Sequence, residues 1–233
     1  MSTTGLEFFG EGLHYLDASD ATGVLITVEG TDGVGRTTQI GMLREWLELR
    51  GHGVVETGWT RSELVGRTIT RAKEIRALNK LTYALLYAAD FADRLEKEII
   101  PALRSGFVVL ADRYVFTAFA RATVRGADQQ WVRELYGFAP KPHLVVYLKA
   151  DITTVVRRTI PLGPIDPFEA GMDMGLGDDL YDSFKRYQTM LIDEYERLAE
   201  EFHFHTVDAR LETETVQERL QRLVSDFFAG RED

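Results

Sequence analysis

The chain has no cysteine among its 233 residues, which excludes disulfides, thiolate metal sites and cysteine nucleophiles together. Positive charge is scarce: 27 Lys and Arg stand against 37 Asp and Glu, a net charge of −10. A duplex nucleic acid rewards the opposite balance, so no nucleic-acid partner is expected. A small anion gripped by a few local arginines remains compatible. Long apolar runs are also missing. Stretches such as Leu144-Val145-Val146-Tyr147-Leu148 fall far short of the roughly 20 residues a membrane helix needs. The first 25 residues carry Glu7, Glu11, Asp17 and Asp20 without a basic n-region or an apolar h-region. The expectation is a soluble cytoplasmic protein with no membrane partner. Proline is sparse, six in all, and three of the six crowd into residues 160–178 together with four glycines.

Apolar residues make up 45% of the chain, enough for a real core, and the length suits one domain with insertions. Short β-branched runs alternate with helical patterns: Val24–Val28, Val54–Thr57, Phe107–Ala111, Leu144–Leu148 and Phe204–Val207. Continuous apolar runs this short suit strands covered on both faces, and strand–helix alternation predicts a parallel sheet with crossover helices. Ile40, Leu43 and Leu47 fall at helical spacing before Gly51, a position where a C′ glycine belongs. Leu81 to Leu103 reads as a longer helix with Pro101 near its end. A last helix starts at Thr213 or Thr215 and presents Val216, Leu220, Leu223 and Phe227. Two stretches break the alternation. Residues 1–23 form an N-terminal extension with no clear periodicity, and residues 160–178 read as a long mobile loop.

The strongest chemical signal follows the first strand directly, as Glu29-Gly30-Thr31-Asp32-Gly33-Val34-Gly35-Arg36-Thr37-Thr38. The spacing is that of a phosphate-binding loop between strand and helix, with Arg36 in place of the usual lysine. Glycines let backbone N–H groups turn inward around phosphate oxygens, and the helix start adds the positive end of its dipole. The Thr37 hydroxyl is placed to ligate Mg²⁺. The second signal is Asp112-Arg113-Tyr114, at the carboxyl end of the third run, where ligands bind in open α/β sheets. An Asp there can hold Mg²⁺ and an adjacent Arg can grip a phosphate bidentately.

With these motifs the chain resembles the thymidylate kinase family of the P-loop nucleoside monophosphate kinases. Its further marks are Leu85-Leu86-Tyr87-Ala88-Ala89-Asp90, Ile99-Ile100-Pro101-Ala102-Leu103, Pro142-His143-Leu144 and Val207-Asp208-Ala209. The resemblance runs from Val24 to about Phe228. It implies a three-layer α/β P-loop fold: a five-stranded parallel sheet with helices on both faces and a mobile lid. It implies a single kinase domain over residues 24–230, with the lid at about 157–178, and usually a homodimer. The implied reaction is transfer of the ATP γ-phosphoryl to dTMP, giving dTDP, with Mg²⁺.

Position by position, the resemblance implies that Gly30, Thr31, Asp32, Gly33, Val34, Gly35, Arg36, Thr37 and Thr38 hold the ATP phosphates. Thr37 and Asp112 would place the metal. Asp32 would face the acceptor 3′-hydroxyl, and Arg61 and Arg113 would hold the acceptor phosphate, with Arg94 a further candidate. Tyr87 would stack on the base, Thr117 would line that pocket, and Arg157 and Arg158 would close over the transferring group. The chain departs from the family pattern at Arg36, at Gly58-Trp59, at Phe91 and at Arg121, which stands where an aromatic is expected. An arginine plane can replace an aromatic as a stacking surface and adds donors for a pyrimidine carbonyl. Two other readings remain open at this point. One is the same fold with another nucleotide acceptor or donor. The other is a nucleotide-binding protein with weak or no turnover, which Arg36 motivates.

Overall fold

The computed structural model describes residues 5–16, 18–74 and 79–232. Five strands form one parallel sheet: β1 (Val24–Glu29), β2 (Val54–Gly58), β3 (Val108–Asp112), β4 (Leu144–Lys149) and β5 (His205–Asp208), in the order β2-β3-β1-β4-β5. The five strands match the five apolar runs. Every residue of β1 is buried because helices cover both faces of the sheet. Alternate residues serve different cores. Leu25 packs on one side with Val109, Val145 and Tyr147, whereas Val24, Ile26 and Val28 pack on the other with Leu110, Val146 and Leu148. The chain leaves β1 toward β2 and later crosses to β4 on its other side. The carboxyl end of β1 is therefore the switch point where such folds bind ligands.

Helix α1 (Arg36–Glu48) lays Ile40, Leu43 and Leu47 on the second core. Gly51, at φ 87°, turns the chain beyond its end. After α2 (Gly66–Glu74), helix α3 (Lys80–Arg94) starts under an Asn79 cap that accepts from the Thr82 N–H at 3.1 Å. It runs through a π-helical turn at Leu95–Ile99 into α4 (Ile100–Arg104). Pro101 lacks an N–H and its ring would clash with the carbonyl four residues back; the widened turn just ahead of it lets the helix continue. Helices α5 (Val115–Val124), α6 (Gln129–Leu135), α7 (Ile152–Thr159) and α8 (Leu180–Glu201) follow. The last, α9 (Thr213–Glu232), buries Val216, Leu220 and Val224, with Leu223 and Phe227 partly covered. Among the described residues no helix is long and apolar enough to cross a membrane.

Part of the N-terminal stretch is packed against the domain. The Phe9 N–H donates to the Ala139 carbonyl at 3.0 Å and the Gly10 N–H to the Gly137 carbonyl at 2.8 Å. The Phe9 ring meets Phe116, Phe119 and Phe202 at 5.6, 5.9 and 6.0 Å in edge-on contacts.

Candidate active site

The loop between β1 and α1 carries the phosphate-binding pattern. Gly33 has φ 72°, and a Cβ there would stand 2.4 Å from the Thr159 hydroxyl, so only glycine lets α7 approach the loop. Helix α1 begins after Gly35, in the left-handed region, with no side chain capping its first turn. Its N-terminal N–H groups therefore suit an anion. Arg36 folds along the loop. Its Nη1 donates to the carbonyls of Gly30 and Thr31, and its Nε donates to Asp112 Oδ1 at 2.9 Å. The Thr37 hydroxyl donates to Asp112 Oδ2 at 3.0 Å. Burial pushes the Asp112 carboxyl up in pKa, but the Arg36 guanidinium outweighs that and holds it below the usual carboxylate range. A hydroxyl and an ionised carboxylate in contact are the hard oxygen donors that Mg²⁺ takes.

A second cluster centres on Asp32. Its carboxylate meets Arg113 Nη2 in a direct hydrogen bond, and Arg121 Nη2 and Arg36 Nη2 stand at 3.7 and 3.9 Å. Gln188 Nε2 donates to it at 3.2 Å. Burial alone would raise the Asp32 pKa; Arg113, Arg121 and Arg36 overcome this and hold it far below the usual range. Three guanidinia surround one carboxylate in a shielded place, and two of them are shared with Asp112 and Glu169. Among the described residues the buried Nε of Arg113 has no partner, nor do the Thr159 hydroxyl and the Gln188 carbonyl oxygen. A donor left unpaired in such a place is costly unless a ligand takes it. Asp32 and Arg36 of the phosphate loop, Arg113 after β3 and Arg121 of α5 thus meet in one place.

Glu29 underlies this arrangement and received no role in the sequence reading. It is fully buried, accepting from the Tyr114 N–H at 2.6 Å and the Thr117 hydroxyl at 2.8 Å, and Tyr195 adds a contact at 3.3 Å. These bonds fix the turn in which Arg113 takes φ 69°. Thr117 therefore sits beneath the pocket with its hydroxyl committed to Glu29 and Tyr195. Burial pushes the Glu29 pKa up to about 7 from 4.5, against the opposing hydrogen bonds of Thr117 and Tyr114. A carboxyl raised on folding binds its proton more tightly folded than unfolded, so its contribution to stability is full at low pH. That contribution falls as pH rises from 4.5 towards 7. We expect Glu29→Gln to be the less pH-dependent protein. Its stability relative to the parent should rise between pH 5 and 8 by on the order of 2–3 kcal/mol. Urea melts across that range measure this; parallel curves for the two proteins would mean that Glu29 titrates normally.

Aromatic rings wall the other side. The Tyr87 ring centre lies 4.5 Å from that of Tyr83 and 5.5 Å from that of Trp59, and Phe168 packs at a tilt 4.2 Å from Tyr83. Phe91 belongs to the core, packed on Tyr114 and Phe138. Arg61 lies on the exposed loop after β2. Gly58 gives it room, since a Cβ there would stand 3.3 Å from Arg61 Nε and 3.2 Å from the Asp112 carbonyl. Buried Asp90 accepts the N–H groups of Thr60 and Ser62, which flank Arg61, at 3.1 and 3.0 Å. Arg94 is not available to a ligand: it pairs with Asp90 at 3.0 Å and donates to the Thr57 hydroxyl at 2.8 Å. The expectation that Arg94 grips an acceptor phosphate is therefore corrected, because its guanidinium is buried and spent on holding this loop.

Arg157 and Arg158 end α7 beside the phosphate loop; Arg158 Nη1 donates to the Ala209 carbonyl at 2.7 Å and Arg157 is exposed. The stretch expected to be mobile carries firm contacts. Ala170 is fully buried, and the Ser183 hydroxyl donates to its carbonyl at 2.8 Å. Glu169 reaches Lys73 at 3.6 Å and Arg121 at 3.9 Å. Neither Glu169 nor Gln188 stood out in the sequence, because single polar residues in loops and helices carry no pattern.

This geometry agrees with the comparisons to known proteins. The family profile described as thymidylate kinase matches residues 28–220. A probable thymidylate kinase 2 of Saccharolobus solfataricus is 38% identical over 209 residues, covering 88% of this chain and 97% of the relative. A probable thymidylate kinase of Pyrococcus abyssi is 31% identical over 215 residues, covering 89% and 98%. A thymidylate kinase of Clavibacter sepedonicus is 42% identical over 136 residues, covering 56% and 64%. With the phosphate loop, the Asp112-Arg113 turn and the sheet order all in place, the chain belongs to the thymidylate kinase family.

Proposed function

We infer that this protein is a nucleoside monophosphate kinase that transfers the γ-phosphoryl group of ATP to dTMP, giving dTDP. The observation that carries the reading is the convergence of Arg36, Arg113 and Arg121 on Asp32 beside the phosphate loop. Phosphoryl transfer asks a protein for positioning and charge neutralisation, and an acceptor phosphate oxygen needs no strong base to attack. The loop N–H groups from Gly30 to Thr38 take the donor phosphates, and Arg36 adds a charge at their edge. Arg113 and Arg61 orient the acceptor phosphate, Asp32 takes the sugar hydroxyl, and Tyr87 backs the base. Arg157 and Arg158 supply further positive charge at the mouth of the loop. Mg²⁺, held by Thr37 and Asp112, would neutralise the donor oxygens.

The same reading makes the protein a cytoplasmic homodimer, with residues 24–230 as its single domain. The exposed apolar side chains Leu64, Leu81 and Leu85 support a subunit contact. Sedimentation equilibrium decides this directly, a monomer mass ruling it out. The catalytic test is a panel of nucleoside monophosphates with Mg·ATP. dTMP should be the best acceptor, with modest selectivity over dUMP, since one methyl contact is worth only about 1–3 kcal/mol. A purine monophosphate as best acceptor, or no turnover at all, would sink the assignment. Arg121→Ala should raise the dTMP KM by on the order of tenfold, the scale of one charge-assisted contact, and leave the ATP KM nearly unchanged. Unchanged dTMP kinetics would place Arg121 outside the pocket.

A further inference from the structure

Arg125 caps the carboxyl end of α5, one helical turn beyond Arg121, and is only 7% exposed. A guanidinium buried this deeply is tolerated only when its donors are met. All three nitrogens are engaged. Nε donates to Asp173 Oδ2 at 3.0 Å, and Nη2 donates to the Phe168 carbonyl at 2.7 Å and to Asp173 Oδ1 at 3.4 Å. Nη1 donates to the Tyr187 hydroxyl and, at 3.4 Å, to the Arg121 carbonyl. The guanidinium plane also lies 3.9 Å from the Phe168 ring centre and 4.6 Å from that of Tyr187. One side chain therefore joins α5, α8 and the loop between α7 and α8. Phe168 and Asp173 cannot leave together without stranding a buried charge.

The two residues that this clamp presents face the acceptor side. The Phe168 ring packs at a tilt against Tyr83, whose hydroxyl donates to that of Tyr87 at 2.6 Å. Glu169, next in sequence, reaches Arg121 and Lys73, and its carbonyl accepts from Gln188, which also donates to Asp32. Among the described residues, the hydrogen bonds and ion pairs of this set reach the donor loop through Asp32. We propose that Arg125 is a positioning residue that holds Phe168–Asp173 as a fixed wall of the acceptor pocket, so that acceptor affinity depends on it and donor affinity does not. The proposal rests on the kinase reading above and divides the expected lid in two. The stretch beside the phosphate loop is left to move, and the stretch from Phe168 to Asp173 stays clamped.

The test compares the full-length parent with Arg125→Gln, Arg125→Lys and Asp173→Asn. Arg125→Gln should raise the dTMP KM, and the dTMP Kd by calorimetry, by about tenfold or more, the scale of losing hydrogen bonds to a charged group. The ATP KM should stay within about twofold, as expected for an uncoupled site. Arg125→Lys should fall between, because an ammonium reaches Asp173 but cannot span the other partners. Asp173→Asn removes one partner at a partly exposed position, so it should fold and show the same split at about threefold. Amide exchange of residues 166–175 without nucleotide should speed up in Arg125→Gln. Equal rises in both KM values, or unchanged exchange in that loop, would overturn the clamp. A parent that binds dTMP but turns nothing over sinks the kinase reading instead; the dTMP Kd and the exchange rates still decide the role of Arg125.

Discussion

Arg36→Ala should lower kcat by on the order of 10²-fold or more, the typical cost of removing a charge contact to a transition state. Two losses combine. The Nη1 bonds to the Gly30 and Thr31 carbonyls brace the loop, and the Nε bond to Asp112 ties the loop to the carboxylate proposed to hold Mg²⁺. Alanine removes the brace and leaves Asp112 with Thr37 alone. Arg36→Lys should retain or raise activity. An ammonium keeps the charge, is compact, and reaches the loop carbonyls from a flexible stem. Steady-state kinetics at saturating dTMP and Mg·ATP separates the cases. If Arg36→Ala is as active as the parent, the residue does not touch the transferred phosphoryl group.

Arg113→Met should lower kcat/KM for dTMP by on the order of 10³-fold, since it removes the charge-assisted grip on the acceptor phosphate proposed for Arg113. Methionine keeps most of the stem, so packing suffers little. The backbone at φ 69° is already set by the Val28 carbonyl and by Glu29 through the Tyr114 N–H, so no new strain enters. The variant also leaves Asp32 with only Arg121 and Arg36, which raises its pKa towards ordinary values. The dTMP activity of Arg113→Met should consequently fall off towards acid at a higher pH than that of the parent. Equal losses in dTMP and ATP affinity would place Arg113 on the donor side.

The central strands β1, β3 and β4 were legible because a strand covered on both faces is apolar almost throughout, whereas the edge strands β2 and β5 keep half-buried or exposed polar residues and stood out only by their β-branched content. The phosphate loop was legible for a related reason: backbone N–H groups can surround an anion only with glycine at set places. Side-chain support was not legible. Asp90 with Thr60, Arg125 with Asp173, and Gln188 with Asp32 are joined across 30, 48 and 156 residues of sequence. A lone charged residue on a helix looks the same in sequence whether it faces water or a buried partner. Tyr83, Tyr87 and Phe91 stand four residues apart along α3 and do not share one environment. Each four-residue step overshoots a full turn by about 40°, so a row begun at the pocket has swung into the core two steps later. Tyr83 and Tyr87 meet Phe168 and Trp59, whereas Phe91 is fully buried. Gly58, which looked only like a departure from the family pattern, is the place where Arg61 comes close to the sheet.

The docking of Phe9 has a consequence for the order of folding. Its partners Phe116, Phe119 and Phe202 lie far along the chain, so the niche for Phe9 is complete only once the chain as far as Phe202 has been made. Contacts of such long sequence separation carry a large loop-closure entropy and tend to form late. The segment therefore acts as a closing clasp. Interactions made after the folding barrier slow unfolding without speeding folding. Stopped-flow unfolding of Phe9→Ala should therefore be faster than that of the parent with refolding little changed, because Phe9 packs on α5, the helix that carries Thr117 and Arg121.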